Sequence, residues 1–378
     1  MATNTTQSNL VRLAALQLGE VPAHPSLPSS EDTTPPELLP FLLSLLDDGV
    51  DFLSSTSFIA NFKHQSTKTA LPSEAKVDVL TCDIAARELE QIVKWEGGAT
   101  TRITADDNRP NGDGAQGPGP GQGQKADEET YTRPGRSKPP ARVLSGGEHW
   151  FARKSVHKDL SSKDATSPGN ASWKEFIYGL RDDHSKHEEA FTPNLYDAHP
   201  VCDWNGELRA LESQREIVGK HGRKYTCATM AIYEMCHATP PPTSARCFPV
   251  LVATASLGPE EFVAVTVPVT LGTSVAASFY SSGRNTKEGK TPQQRKPVVL
   301  GIYAAVETVK RRPREGAERG VEGKEVEWIM ATASDAKGNL PMWVQKMSIP
   351  GMLPKDVSYF MKWIKGVKDE DIEAVKVV

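Results

Sequence analysis

Strand-like segments dominate the chain between residues 149 and 333, and this feature constrains the fold more than any other. Each segment shows alternating apolar and polar residues, or a concentration of β-branched and aromatic residues, as strands do. The stretches at 281–297 and 311–324 are polar and charged, which is typical of hairpin loops. The pattern predicts an antiparallel sheet of about six or seven strands. The candidate strands are residues 149–157, 195–204, 223–237, 245–255, 261–270, 298–310 and 325–333.

Helical patterns flank these strands. Leucines between residues 38 and 46 follow helical spacing, and residues 83–95 are a second helix candidate. Residues 172–189 predict a helix that begins with a capping box formed by Ser172 and Glu175. Near the C-terminus an apolar stripe with spacing i, i+3, i+4, i+7 is formed by Val357, Phe360, Met361 and Ile364. The sum is an α+β layout with a long helix on one face of the sheet.

A stretch with almost no apolar residue separates the N-terminal helices from the strands. Residues 106–140 include the run GDGAQGPGPGQGQ and scattered charges, and such a composition cannot bury enough surface to offset its ordering entropy. We therefore expect a flexible N-terminus (1–36), an N-terminal helical region (37–100), a disordered linker (101–142), a main domain (143–366) and a C-terminal tail (367–378).

Composition excludes several classes of protein. The net charge of −4 does not favour nucleic-acid binding. The five cysteines form no C-x-x-C pair, which fits a reducing compartment better than a disulfide framework or a zinc site. The strongest apolar run, residues 38–46, is far shorter than the roughly 20 residues of a membrane span. Because the first twenty residues also lack signal-peptide features, we expect a soluble cytoplasmic protein.

No catalytic or metal-binding motif stands out. The chain has no G-x-S-x-G motif and no P-loop. His184 and His187 have the i, i+3 spacing of metal ligands, but the mixed charge of RDDHSKHEE favours a solvated helix face. Cys236 and His237 are adjacent in a predicted strand, so their side chains point to opposite faces and would not meet. We predict no enzyme activity and no cofactor.

The end of the chain resembles a known family. The segment EWIMATASDAKGNLPMWVQKM, residues 327–347, resembles the closing signature of START (steroidogenic acute regulatory protein-related lipid transfer) domains. In that signature a last strand leads through a turn into a helix that starts at Pro-x-Trp; the matching positions are Asp335, Gly338, Leu340, Pro341 and Trp343. Upstream, WFARKSVH, SWKEFIYGLRDDHSKHEEAFTP and EMCHATPPP are similar to a fungal family with a START-like domain.

The resemblance implies a fold and a kind of ligand. The implied fold is the helix grip, a curved antiparallel sheet wrapped around a long C-terminal helix, here with extra N-terminal helices. Such a fold encloses an apolar tunnel for a lipid, a sterol or another hydrophobic small molecule. The resemblance therefore implies ligand binding without catalysis, with transient membrane contact, and leaves the oligomeric state open.

Charged residues among apolar strand residues are the first candidates for this cavity. Glu234 shares a strand face with Met230 and Ile232, and Arg246 shares one with Phe248. If both faces line the cavity, Glu234 and Arg246 would be buried groups that pair with each other or hold a ligand's polar head. If they lie at strand ends, they meet solvent.

The last strands and the terminal helix supply the other candidates. Glu307, like Glu234, would either be buried in the cavity or meet solvent at a strand end. The remaining candidates are aromatic or flexible apolar side chains, which suit an adaptable pocket but fit a solid core equally well: Tyr303, Trp328, Met330, Trp343, Met347 and Phe360.

Two prolines interrupt the terminal helix. Pro350-Gly351 is predicted to split it, and Pro354 to restart it. One hypothesis makes residues 349–354 the hinge of a lid formed by residues 355–365, and the alternative is a fixed kink.

Three functions follow from these observations. The first is binding, with or without transfer between membranes, of a hydrophobic molecule in an internal cavity. The second is a protein-interaction or scaffold module with a solid core, and the third is a polyketide-cyclase-like enzyme. A cavity smaller than about 300 Å³ would not house a lipid, and the enzyme would need a buried acid–base pair with perturbed pKa values.

Overall fold

One large sheet is the frame of the computed structural model, which describes residues 10–28, 34–85, 89, 147–240, 243–285, 297–314, 323–337 and 342–378, without the side chains of 342–349. Within these ranges the strands are β1 (Lys63–Ala70), β2 (Ser73–Ile84), β3 (Glu148–Lys158), β4 (Leu195–Asp203), β5 (Ile217–Val218), β6 (Lys224–His237), β7 (Arg246–Ser256), β8 (Glu261–Pro268), β9 (Val299–Leu300), β10 (Ile302–Pro313) and β11 (Lys324–Asp335). Their order is β1-β2-β3-β11-β10-β8-β7-β6-β4, with β5 beside β6 and β9 beside β7. The main ladder is antiparallel, and the short β9 pairs with β7 in parallel.

Helices cover both faces of the sheet. They are α1 (Leu38–Phe52), α2 (Ser55–Asn61), α3 (Trp173–Phe176), α4 (His184–Phe191), α5 (Asn205–Gln214), α6 (Met342–Ile364) and α7 (Asp369–Glu373). A π-helical turn, Ile177–Arg181, continues α3. Among the described residues, none of these helices is long and apolar enough to cross a membrane.

One face of the sheet is a solid core under the N-terminal part of the chain. Side chains of residues 10–21, α1 and α2 pack there with inward residues of β6, β7, β8 and β10. Gly49 lets α1 approach the sheet, because a Cβ atom at this position would lie 2.4 Å from the Cγ2 atom of Val265. The contact is close-packed, so substitution of Gly49 would push α1 away from β8.

The opposite face carries α3, α4 and α6. Phe360 of α6 packs against Phe176 of α3 and Trp328 of β11, with ring centroids 5.3 and 5.2 Å apart. Gly179 in the π-helical turn permits this approach, since a Cβ atom there would lie 2.5 Å from the Phe360 ring. The long C-terminal helix over an antiparallel sheet confirms the predicted α+β class.

The N-terminal predictions need correction. The expected flexible N-terminus is wrong for residues 10–28: Leu16 exchanges backbone hydrogen bonds with the end of β8 and the residues after it, and Leu10, Val11 and Val21 are buried. The expected helical region 37–100 is correct for α1 and α2 but wrong for residues 63–84, where β1 and β2 form a hairpin that pairs with β3. Of the second helix candidate, residues 83–95, residues 83 and 84 belong to β2 and Leu89 is helical, while residues 86–88 and 90–95 lie outside the described residues. The predicted linker, residues 101–142, lies outside the described residues.

The structure also corrects two helix predictions and the predicted C-terminal tail. The predicted helix 172–189 has its capping box at Ser172, but it breaks at Asp183, which has a left-handed φ of 44°. Helix α6 is continuous through Pro350 and Pro354, so the predicted split is wrong and the hinge hypothesis loses its basis. The expected tail 367–378 instead docks: it forms α7, and Arg181 donates a hydrogen bond to the carbonyl of Lys376 at 3.0 Å.

Candidate functional site

A cavity of about 280 Å³ lies between the sheet and the helices α4 and α6. Its floor is formed by one face of β6, β7, β8, β10 and β11, and its roof by α4 and α6. The apolar part of the lining comes mainly from Leu180, Phe191, Met235, Phe248, Val250, Val252, Ala264, Tyr303, Ala305, Trp328, Met330, Met352, Leu353 and Tyr359. Such a cavity in an otherwise close-packed interface indicates a binding site.

Five of the predicted site residues line this cavity. They lie on three strands whose registers place them on the same face: Phe248 on β7, Tyr303 and Glu307 on β10, and Trp328 and Met330 on β11. Phe360 lies beside the cavity in the aromatic cluster. The side chains of Trp343 and Met347 lie outside those that the structure describes.

The three predicted residues on β6 face the wrong way. Met230 and Ile232 are buried on the opposite face, in the core under α1, and Glu234 shares that face. The cavity instead receives Met235 and His237. The reason is the register, in which Met235 lies opposite Phe248: even-numbered residues of β6 share a face with odd-numbered residues of β7, so the two predicted sets cannot meet.

Glu234 and Arg246 do not pair with each other. The Glu234 carboxylate accepts hydrogen bonds from residues 278–281 of the loop after β8. Arg246 shares the face of Phe248, as predicted, but its guanidinium donates to the carbonyls of Ser244 and Ala336 at the end of the strand. Mutual contact and a strand end in solvent are therefore both wrong for Glu234, which is fully buried. The third alternative, contact with a ligand's polar head in this cavity, is also wrong for Glu234, because its side chain lies on the opposite face of the sheet.

Arg153 of β3 lines the cavity and was not among the residues predicted from the sequence. Its guanidinium donates from Nη2 to Glu307 Oε1 at 3.2 Å and lies 3.8 Å from the centroid of the Trp328 ring. The Trp328 indole also donates to Glu307, at 2.6 Å. No sequence signal pointed to it: Arg153 shares its strand face with Ser155 and His157, a polar pattern that is typical of an exposed face, yet all three side chains are buried.

Two further carboxyl groups reach the cavity from the helices. Burial raises the pKa of Asp356 on α6 to about 7, the Arg153 charge opposes this shift, and the Glu188 and Glu307 charges add to it. Burial also raises the pKa of Glu188 on α4, against the effect of His184. The cavity is therefore apolar along much of its wall and acidic on the helix side.

The raised pKa of Asp356 predicts a pH-dependent stability. The unfolded chain releases the Asp356 proton near its ordinary pKa of 3.8, whereas the folded protein keeps it until about pH 7. Stability from this group is thus present at low pH and is lost as pH rises through about 7. Asp356→Asn should raise the melting temperature by about 2–5 °C at pH 8 and change it little at pH 4.

Thermal unfolding at both pH values measures this effect, with Glu207→Gln on the exposed face of α5 as control. An equal shift for Asp356→Asn at pH 4 and pH 8 would show that the carboxyl group is not desolvated.

The two histidines of α4, whose spacing resembles that of metal ligands, lie in different surroundings. His184 lines the cavity, with Nδ1 2.6 Å from the carbonyl oxygen of Leu180. His187 stacks on Tyr178, with ring centroids 4.4 Å apart. Within the part of the chain that the structure describes, no group of three or more His, Cys, Asp or Glu side chains could hold a metal ion.

The fold and the cavity define a class: an α+β protein with an internal, partly acidic cavity beneath its C-terminal helix. Residues 150–364 match the model of a family described as "Protein of unknown function (DUF3074)". This match covers more than half of the chain, so the protein belongs to that family. A search of the curated proteins found no match.

Three human START proteins are among the solved structures with a similar arrangement. Human STARD10 is 11% identical, with coverage of 90% of this chain and 82% of that one and a TM-score of 0.41. The human StarD13 (DLC2) lipid transfer and protein localization domain is 9% identical, with coverages of 84% and 97% and a TM-score of 0.36. Human StAR-related lipid transfer protein 5 is 8% identical, with coverages of 83% and 87% and a TM-score of 0.35.

Proposed function

We propose that the protein binds a hydrophobic small molecule in the cavity between its sheet and α6, as the resemblance to START domains implies. The observation that carries the proposal is the cavity itself, with its aliphatic and aromatic walls and a small set of polar groups. Burial of apolar ligand surface there would contribute roughly 25 cal/mol per Å², and the polar groups would orient the ligand.

The size of the cavity limits which hydrophobic molecules can fit inside it. At about 280 Å³ it lies just below the threshold of about 300 Å³ that we set for a lipid. A compact molecule or a single alkyl chain suits this space better than a lipid with two chains. Transfer of a larger lipid would require α6 to move away from the sheet.

The two alternative functions receive unequal support. A scaffold with a solid core does not account for an apolar cavity in the middle of the domain. The enzyme alternative is favoured by one observation, the pKa of about 7 for Asp356, which suits a general acid or base. However, neither Asp356 nor Glu188 forms a hydrogen bond or ion pair within the described ranges, so no oriented acid–base pair supports catalysis over binding.

Filling the cavity tests the proposal. Ala305 of β10 lines it and is buried, so Ala305→Phe should occupy the ligand's space. We expect octan-1-ol to give saturable heat in isothermal titration calorimetry with the native protein, and at least about tenfold weaker binding with the variant. The matched control is Ala210→Phe, on the exposed side of α5, which adds the same ring outside the cavity.

Thermal unfolding first establishes that both variants are folded. If octan-1-ol binds equally to the native protein and to Ala305→Phe, or if neither protein binds octan-1-ol or any other octyl compound, the cavity is not a ligand site. Native mass spectrometry of the protein purified from a eukaryotic host then identifies any co-purified molecule.

A further inference from the structure

The cavity is lined by more acidic side chains than basic ones. One guanidinium, Arg153, faces three carboxylates, which come from three different elements: Glu188 on α4, Glu307 on β10 and Asp356 on α6. Arg153 is already paired with Glu307 at 3.2 Å. Glu188 and Asp356 therefore form no ion pair within the described part of the chain.

Arg153 lines the cavity, but its charge is already matched by the Glu307 carboxylate. Its side chain is only 1% exposed, and the ring of Trp328 lies against its guanidinium. Its Nε and Nη1 atoms are buried and have no hydrogen-bond partner within the described ranges. The single guanidinium is balanced by Glu307, so an anionic head group would add a further negative charge beside Glu188 and Asp356 without a cation to match it.

Glu188 and Asp356 are the groups that a ligand can contact. Both are half-buried and line the cavity, and no hydrogen bond or ion pair to either side chain occurs in the described part of the chain. Desolvated carboxylates without partners are costly. A bound cation would relieve this cost, whereas an anion would increase it.

Two histidines also line the cavity, and neither supplies a cation for both carboxyl groups. The first is His237 on β6. Burial lowers the pKa of His237 to about 4, so this imidazole is neutral near pH 7. On α4, the Nδ1 of His184 is engaged by the carbonyl of Leu180, and its ring lies on the same helix as Glu188. Even a protonated His184 would leave Asp356 without a partner.

We infer that the ligand of this cavity is a hydrophobic molecule whose polar end is a positively charged nitrogen, held between Glu188 and Asp356. This inference rests on the proposed function and names its ligand class. An organic cation suits the site better than a metal ion, since two carboxylates are too few ligands. Aromatic rings of Phe191, Tyr303 and Tyr359 also line the cavity, and such rings attract alkylammonium groups.

A matched series of octyl compounds tests the head group. We expect octylamine at pH 7.5 to bind at least about tenfold more tightly than octan-1-ol in isothermal titration calorimetry, and octanoate at least about tenfold more weakly. Octyltrimethylammonium should bind like octylamine, because its charge is the same and does not depend on proton transfer. Its binding should weaken as pH falls from 8 to 5, since Asp356 then becomes protonated.

The double variant Glu188→Gln/Asp356→Asn removes both charges at nearly constant size. In this variant octylamine and octan-1-ol should bind within about threefold of each other, while Glu207→Gln should retain the native preference. Octylamine binding no tighter than octan-1-ol to the native protein, or an unchanged preference in the double variant, overturns the inference and leaves the proposed function intact. If no octyl compound binds in a way that Ala305→Phe abolishes, the proposed function itself fails.

Discussion

Replacing Glu234 by alanine is expected to lower the free energy of unfolding by about 3–5 kcal/mol. The carboxylate is fully buried and accepts four hydrogen bonds from one loop. The donors are the Ser278 hydroxyl at 2.9 Å and the backbone N–H groups of Phe279, Tyr280 and Ser281 at 2.7, 2.9 and 2.6 Å. Alanine would leave these donors without an acceptor in a buried site.

Urea unfolding at pH 7 measures this loss, and Glu207→Ala on the surface should change stability by less than about 0.5 kcal/mol. Burial tends to raise the pKa of Glu234, but the hydrogen bonds from residues 279–281 outweigh it and the pKa is lowered. The contribution of Glu234 is therefore present at neutral pH and lost as pH falls through its folded pKa. A loss below about 1 kcal/mol at pH 7 would contradict the assigned role.

Phe360→Ala should also destabilise the protein by about 3–5 kcal/mol, as expected for a large aromatic residue removed from a core. Phe360 is fully buried on α6 and contacts the rings of Phe176, Phe191 and Trp328. It also fills the space left by Gly179. Because these residues come from different elements, the variant removes a central contact between the terminal helix and the sheet.

The control for Phe360→Ala is Lys362→Ala, two residues away on the exposed side of the same helix, which should be nearly neutral. Hydrogen exchange adds a local readout: the amides of residues 357–364 should exchange faster in Phe360→Ala than in the native protein. A folded Phe360→Ala protein with unchanged stability would show that α6 is held elsewhere.

Local pattern identified most of the strands but missed the β1–β2 hairpin. Seven strand predictions correspond to β3, β4, β6, β7, β8, β10 and β11. Strand β1, with the sequence KHQSTKTA, is exposed along almost its whole length, so it carries no alternation that a sequence pattern could reveal. Strand β1 is instead held in an extended conformation by its antiparallel pairing with β2.

Side-chain parity within one strand was also predictable, because successive residues of a strand point to opposite faces. Met230, Ile232 and Glu234 do share a face, as do Arg246 and Phe248. Which of these faces meets the cavity was not predictable, since it depends on the register between β6 and β7 and on a bulge near Cys227 in β6. A shift of one residue exchanges the two faces completely.

The sequence by itself determined the α+β class, most strands, the capping box at Ser172 and which residues of a strand share a face. It left open whether the candidates on β7, β10 and β11 line a cavity or fill a solid core. Only the tertiary structure decided that Arg153 pairs with Glu307, that Glu234 anchors a loop on the opposite face, and that two carboxylates from α4 and α6 remain unmatched in the cavity. The physical reason is that a periodicity records local geometry along one element. Charge pairing and cavity formation depend on how separate elements approach each other, and that information is spread over residues far apart in the chain.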